Sequence, residues 1–332
     1  MARKREGNGN HKVTVEELLQ EMRRTVDGLA EDGAGRADLK LLSRTLRELR
    51  HAFRFFDGLR DRPKVTVFGS ARLPPGSPAY RQAESFGREM ARSGWLVVTG
   101  AGEGIMEAAH LGAGGEHSIG VNILLPFEQS DNTVMEGNPR LIHTKYFFTR
   151  KLLFLKESSG VALFPGGFGT MDEAFEVLTL LQTGKTHPFP VVLVDEPGGS
   201  YWATWRRFLE ENLLERGMIS LEDLSLFRIT ESVETAAGEI RDFYRVYHSA
   251  RFVGERLAIR IRRPLAPAAV AALAGDFGDL LTEGAFSQTG ALPEEADDPE
   301  IASLRRIVFR FNNRSFGRLR QLIDRLNEQD TR

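Results

Sequence analysis

The stretch Val161-Ala162-Leu163-Phe164-Pro165-Gly166-Gly167-Phe168-Gly169-Thr170-Met171-Asp172-Glu173 runs from an apolar segment through three glycines into a helical pattern. The first N–H groups of a helix have no acceptor within it, and glycines leave the approach to them open, so such a turn suits a phosphate. The helix dipole contributes only about 0.3–1 kcal/mol there, so the N–H groups and the Thr170 hydroxyl would carry most of the affinity. A glycine turn of this kind can also serve close strand–helix packing alone. Glu173 lies one turn into the helix, within reach of whatever adjoins the phosphate, although a first-turn carboxylate is also favoured by the helix end itself.

Two more glycine-bearing turns follow earlier apolar runs: Gly69-Ser70-Ala71-Arg72, and Gly100-Ala101-Gly102-Glu103-Gly104-Ile105-Met106-Glu107. In a parallel sheet all three fall on one edge and together form a crevice wide enough for a nucleotide. Pro165, Gly166, Gly167, Gly169, Thr170, Gly69, Ser70, Gly100, Gly102 and Gly104 are therefore candidate binding residues, with Glu107 able to reach in from the second turn's helix. The spacing of Gly100, Gly102 and Gly104 is not that of a dinucleotide fingerprint, and no acidic residue is clearly placed about 20 positions later. The seven histidines show no metal-ligand spacing and cysteine is absent, so no metal and no cofactor is expected. His143 and His187 flank the candidate site and read as structural.

The elements that must position these turns are legible in the hydrophobic pattern. Residues 64–68, 95–99, 118–123, 160–164 and 190–194 are apolar runs with little alternation, alternating with helical segments. That rhythm predicts an α/β, doubly wound parallel sheet, Rossmann-like, its strands covered on both faces. Before it lie a polar tail (1–12), read as disordered, and a helical hairpin (13–62) opened by a Thr14–Glu17 capping box. The α/β domain is expected over 63–250. A small α+β module over 251–332 follows, with strands at 256–261 and 306–311, helices at 267–274 and 315–327, and an acidic loop at 292–300. The chain has 332 residues, 41% of them hydrophobic, with 44 basic against 46 acidic side chains. That near balance predicts no nucleic-acid or membrane partner held by bulk charge, and no apolar run approaches the ~18 residues of a membrane span. A cytoplasmic protein is the expectation.

Pro165-Gly166-Gly167-Phe168-Gly169-Thr170-Met171-Asp172-Glu173 resembles the P-G-G-x-G-T-x-x-E signature of the LOG family, cytokinin riboside 5'-monophosphate phosphoribohydrolases often labelled lysine decarboxylase-like. Phe148-Thr149-Arg150-Lys151 looks like the family's Arg-Lys segment, Phe68-Gly69-Ser70-Ala71-Arg72 like its first-strand turn, and Gly104-Ile105-Met106-Glu107 is similar to its longer bacterial branch. The resemblance covers about residues 64–200. Phe147 and Phe148 stand where many plant members carry a histidine. Nothing marks a Schiff-base lysine with cofactor partners, as a decarboxylase would need.

The resemblance implies hydrolysis of the N-glycosidic bond of a purine nucleoside 5'-monophosphate, AMP or an N6-modified AMP, to free base and ribose 5-phosphate. Cleavage at C1' develops oxocarbenium character, which a carboxylate at the sugar stabilises mainly in the transition state, so Glu173 is the candidate catalytic carboxylate. Arg150, which does not deprotonate at ordinary pH, would stabilise charge or contact phosphate, with Lys151 a further binding candidate. Asp172 and Glu176 read as solvated carboxylates of the same helix. A homodimer or higher homo-oligomer is expected. The competing reading is a non-catalytic nucleotide sensor or carrier with the C-terminal module as its output.

Overall fold

The computed structural model describes residues 13–123, 131–295 and 298–328, so the expected tail at 1–12 lies outside the described residues, as do positions 296 and 297 of the acidic loop. The chain divides into two compact units, Met1–Arg54 and Phe55–Arg332. The first holds helix α1 (Val15–Glu31) and most of α2 (Arg36–Asp57). The capping box forms as the spacing predicts: the Thr14 hydroxyl accepts from the Glu17 N–H at 3.2 Å, and the Thr14 N–H donates to Glu17 Oε2 at 2.7 Å. Leu18, Met22, Val26, Leu39 and Leu46 are exposed.

The second unit is built on seven parallel strands, β1 (Lys64–Phe68), β2 (Leu96–Thr99), β3 (Ser118–Ile123), β4 (Leu141–Thr144), β5 (Gly160–Leu163), β6 (Val191–Val194) and β7 (Arg228–Thr230), in the order β4-β3-β2-β1-β5-β6-β7. The chain works outward from β1 to β4, crosses back to β5 beside β1, then works outward again. The order therefore reverses between β1 and β5, paired in parallel from Val65↔Gly160 to Phe68↔Leu163. Helices α3 (Pro78–Arg92), α4 (Ile105–Ala113), α5 (Phe147–Glu157), α6 (Phe168–Gln182), α7 (Tyr201–Leu209) and α8 (Val233–Asp242) connect the strands. A Cβ on Gly87 would meet the Ala109 carbonyl oxygen at 2.1 Å, and one on Gly112 the Glu84 carbonyl oxygen at 1.8 Å, so these glycines let α3 and α4 approach backbone to backbone.

The five expected apolar runs are β1, β2, β3, β5 and β6. The two edge strands had no such run to announce them: β4 carries the exposed His143 and β7 is only Arg-Ile-Thr. A second sheet, antiparallel in the order β10-β11-β9-β8, comprises β8 (Tyr247–Val253), β9 (Arg256–Ile261), β10 (Ser287–Thr289) and β11 (Arg305–Phe309), with α9 (Pro267–Phe277) and α10 (Phe316–Glu328). Its core joins Tyr247, Ile259, Ile307, Phe311, Leu322 and Ile323 to Phe243 at the end of α8. The acidic segment is not wholly a solvated loop. Glu295 is buried and accepts at 2.9 Å from Nε of both Arg260 and Arg306, which matches its charge to two strand arginines. Among the described residues no helix is long and apolar enough to cross a membrane.

Candidate active site

The sheet opens a cavity of about 720 Å3 at the carboxyl ends of β1 and β5, where the strand order reverses. Open α/β sheets bind ligands at that place because the connections diverge there. The turn at Gly69-Ser70 is stitched to both other glycine turns. The Ser70 N–H donates to the Pro165 carbonyl at 3.1 Å, and the Ile105 N–H to the Ser70 carbonyl at 3.0 Å. Gly69, Ser70, Gly166, Gly167, Gly169, Thr170, Arg150 and Glu173 line the cavity; Gly100, Gly102, Gly104, Glu107, Lys151 and Pro165 do not.

The glycines do different work. A Cβ on Gly69 would meet Ile105 Cγ2 at 2.5 Å, one on Gly166 the Thr170 hydroxyl at 2.1 Å, and one on Gly104, at φ +65°, the Ser70 carbonyl at 2.3 Å. These three let the turns close on one another. At Gly167 and Gly169 a Cβ would meet nothing within 4 Å. Gly167, the N-cap of α6, has φ −90°, so neither sterics nor conformation demands glycine there. What the missing side chains leave open is the approach to the uncapped amides of α6, beside the buried Thr170.

The Gly100–Gly102 turn is buried scaffold. Its carbonyls accept from Asn132: Ala101 from the backbone N–H at 2.9 Å, Gly102 from the side-chain amide at 3.0 Å. Ala101 holds φ +57°, an unfavourable region for a residue with a Cβ, and its N–H donates to the Thr99 hydroxyl at 2.9 Å. Gly100 nonetheless acts on the cavity, since a Cβ there would fall 1.9 Å from Nη2 of Arg150. Glu107 is held elsewhere, accepting from the Tyr80 and Thr133 hydroxyls at 3.4 and 3.0 Å.

Arg150 projects from the first turn of α5. Its Nε donates to the Val121 carbonyl at 2.9 Å and its guanidinium lies 5.2 Å from the Phe154 ring centre. Burial lowers its pKa to about 10, opposed by Glu173, so it stays charged at neutral pH. Glu173 has a side chain only 12% exposed. Burial raises its pKa to about 7, against the pull of Lys151 and Arg150 and with the push of Glu176 and Asp172. One oxygen lies 3.7 Å from Lys151 Nζ, while the other is buried with no hydrogen-bond partner among the described residues. Lys151 reaches Glu176 at 2.6 Å and Asp172 at 2.9 Å, and these hydrogen bonds outweigh burial and raise its pKa. No lysine lines the cavity.

Sequence reasoning did not single out Arg72, Met106, Phe147 or Phe168 as lining residues, yet all four line the cavity. Arg72 was findable, being a cation two residues beyond Ser70 in a turn already read as phosphate-binding. Phe168, 96% exposed at the first position of α6, was visible as an apolar residue between two glycines. His143 pairs with Asp131 at 3.3 Å, and His187 lies against a different recess.

A family described as possible lysine decarboxylase matches residues 103–240. The cytokinin riboside 5'-monophosphate phosphoribohydrolase of Mycobacterium tuberculosis is 30% identical over 178 residues, covering 52% of this chain and 90% of its own length. That of Rhodococcoides fascians is 33% identical over 187 residues, covering 55% and 91%. The enzyme LOG3 of Arabidopsis thaliana is 32% identical over 164 residues, covering 47% and 72%.

Proposed function

We propose, from the premise that this chain belongs to the LOG family of cytokinin riboside 5'-monophosphate phosphoribohydrolases, that it hydrolyses the N-glycosidic bond of a purine nucleoside 5'-monophosphate, AMP or an N6-modified AMP. The products are the free base and ribose 5-phosphate. The observation that carries this reading is the buried, unpartnered oxygen of Glu173, on a carboxyl group whose pKa is raised to about 7, one turn from uncapped helix amides.

The phosphate sits on the amides of 167–170 and the Thr170 hydroxyl, which fixes the ribose over Glu173. As the C1'–N bond breaks, its electron pair leaves with the base and positive charge grows on the ribose. The ionised carboxylate stabilises that charge, and its free oxygen accepts the proton of the water that adds to C1'. Arg150 holds positive charge on the opposite wall for an anionic group of the substrate. Phe147 and Phe168, apolar and open, offer faces for the base. The reaction is assigned to residues 63–250.

A panel of nucleoside 5'-monophosphates and the matching nucleosides, assayed for released base, tests the reading. Release from monophosphates alone, reduced about 10²–10⁴-fold in Glu173→Gln, is expected for loss of a general base. With Glu173 as base, kcat/KM falls as pH drops below about 7, where the carboxylate takes up its proton. Tight nucleotide binding with no base released from any member would make the protein a sensor or carrier instead.

A further inference from the structure

The opposite end of the sheet carries a second recess, of about 620 Å3, where β1, β2 and β5 begin. Lys64 opens β1, Trp95 precedes β2, and Ser158 and Ser159 precede β5. Six lysine and arginine side chains line this recess against two carboxylates, Asp61 and Glu157. Part of that excess has an ordinary cause. Helices in a parallel α/β unit end where its strands begin, and cations collect at helix C-termini. Lys156 and Arg241 stand in the last turns of α5 and α8, and both have carboxylate partners, Glu157 and Glu89. Arg60 bridges to Asp57.

The other three cations lie outside the helices and make no ion pair among the described residues. Lys64 Nζ is engaged by the carbonyls of Leu59 and Arg62, at 2.8 and 3.1 Å. Among the described residues Arg262, just beyond β9 in the second sheet, donates only through its Nε, to the Tyr244 carbonyl at 2.9 Å, and its terminal nitrogens make no hydrogen bond. The Arg62 side chain makes no hydrogen bond or ion pair among the described residues. Six cations against two lining carboxylates leave like charges acting on one another here with only partial offset. After burial, Arg262, Arg260 and Arg306 pull the His248 pKa down. Burial likewise lowers that of Lys64, opposed by Glu157 and reinforced by Lys156 and Arg62.

We infer that this recess is a second ligand site, distinct from the nucleotide cavity, for a small molecule carrying two or more linked phosphate groups. Guanidiniums match phosphate oxygens two at a time. The unengaged ones come from separate parts of the fold, Arg62 from the segment leading into β1 and Arg262 from the second sheet, and an occupant with more than one anionic group would engage both and offset the excess of cations over carboxylates. A recess of this volume is in the range of small-molecule sites rather than of a single inorganic ion. A ligand held there would bridge the second sheet and the seven-stranded sheet.

Calorimetric titration of the full-length protein with inorganic tripolyphosphate tests this, comparing wild type, Arg62→Gln, the Arg62→Gln/Arg262→Gln pair, and Gly167→Val, which fills the phosphate turn of the cavity. Binding that survives Gly167→Val but weakens about tenfold in Arg62→Gln, and further in the pair, is expected for loss of charged hydrogen bonds. Arg62→Gln removes no hydrogen bond or ion pair among the described residues, and an unchanged thermal unfolding midpoint of the variant separates lost binding from lost folding. Bound tripolyphosphate should also raise the His248 pKa, followed by its ring proton resonances. No binding by wild type, or binding abolished by Gly167→Val and indifferent to both arginine variants, overturns the site. Hydrolysis of nucleoside monophosphates is measured separately, and its absence would leave the binding result standing.

Discussion

On the proposed reading Glu173 is the catalytic carboxylate, and its raised pKa costs stability with a sign that can be checked. Its folded pKa, about 7, lies above the ordinary value of 4.5, so the folded protein keeps this proton more firmly than the unfolded chain does. Stability from this group is therefore greatest below about pH 4.5 and is lost as pH rises towards 7, by roughly 3 kcal/mol in all. Glu173→Gln, which cannot ionise, should unfold at a higher temperature than wild type at pH 8, with the gap closing towards pH 5. Equal gaps at both pH values would mean that folding does not raise the Glu173 pKa. Gly169 makes the complementary case. Alanine there meets nothing within 4 Å and lies in a helix, so Gly169→Ala should stabilise the fold by about 0.4–1 kcal/mol while raising KM for the nucleotide. Thermal unfolding and steady-state kinetics on the same preparation check both halves. The sequence announced these positions because helix-start chemistry is local. It could not separate Gly167 and Gly169, open to the cavity, from Gly69 and Gly166, closed by packing, since that depends on neighbours such as Ile105 that other segments supply.

The same distinction governs whole elements. β1, β2, β3, β5 and β6 were legible because burial on both faces demands an unbroken apolar run, whereas the edge strands β4 and β7 meet no such demand. β8 was hidden for another reason: Tyr247-His248-Ser249-Ala250-Arg251-Phe252-Val253 carries polar residues on a half-buried strand with a register shift between Tyr247 and Ser249, which breaks the alternation. At the candidate site, the turn after β2 acts on α5 across the cavity wall. Gly100→Ala is compatible with the backbone, because Gly100 does not have a positive φ, but its methyl would occupy the place of Arg150 Nη2. A flexible guanidinium can move aside, so the variant should fold normally and lose about tenfold or more in kcat/KM through displaced Arg150, as expected when an oriented charged group is misplaced. Arg150→Lys, which shortens the fork, should lose a similar amount. If Gly100→Ala is fully active while Arg150→Lys is not, the glycine serves packing alone.

At the scale of the molecule, the second sheet and the domain of the seven-stranded sheet share structure rather than merely adjoin. Gly317 of α10 lies so close to the segment before β7 that a Cβ would meet the Glu222 carbonyl oxygen at 2.3 Å, and Gln321 donates to the Ser225 hydroxyl at 2.7 Å. Phe316 at the start of α10 lies against Gly184, two residues beyond α6, so closely that a Cβ there would overlap its ring, and Leu319 and Arg320 share a small recess with Leu181, so the helix that bears Glu173 is braced at its far end by the C-terminal module. The free face of the same domain makes the opposite statement. Phe147, Phe148 and Leu152 of α5 and Phe168 and Phe175 of α6 are all exposed, an apolar set on neighbouring helices that a monomer would leave in water. A stable dimer buries about 800 Å2 on each partner, and aromatic side chains are the residues that most often carry such contacts. Light scattering on the full chain should therefore report a dimer or larger. Phe148→Glu with Leu152→Glu, neither of which lines the cavity, should report a monomer of unchanged circular dichroism. Because Phe147 and Phe168 belong both to this face and to the cavity rim, the monomeric variant should also bind nucleotide more weakly. Wild type that remains monomeric at micromolar concentration would remove the reason for that coupling, and would assign Phe168 to the base alone.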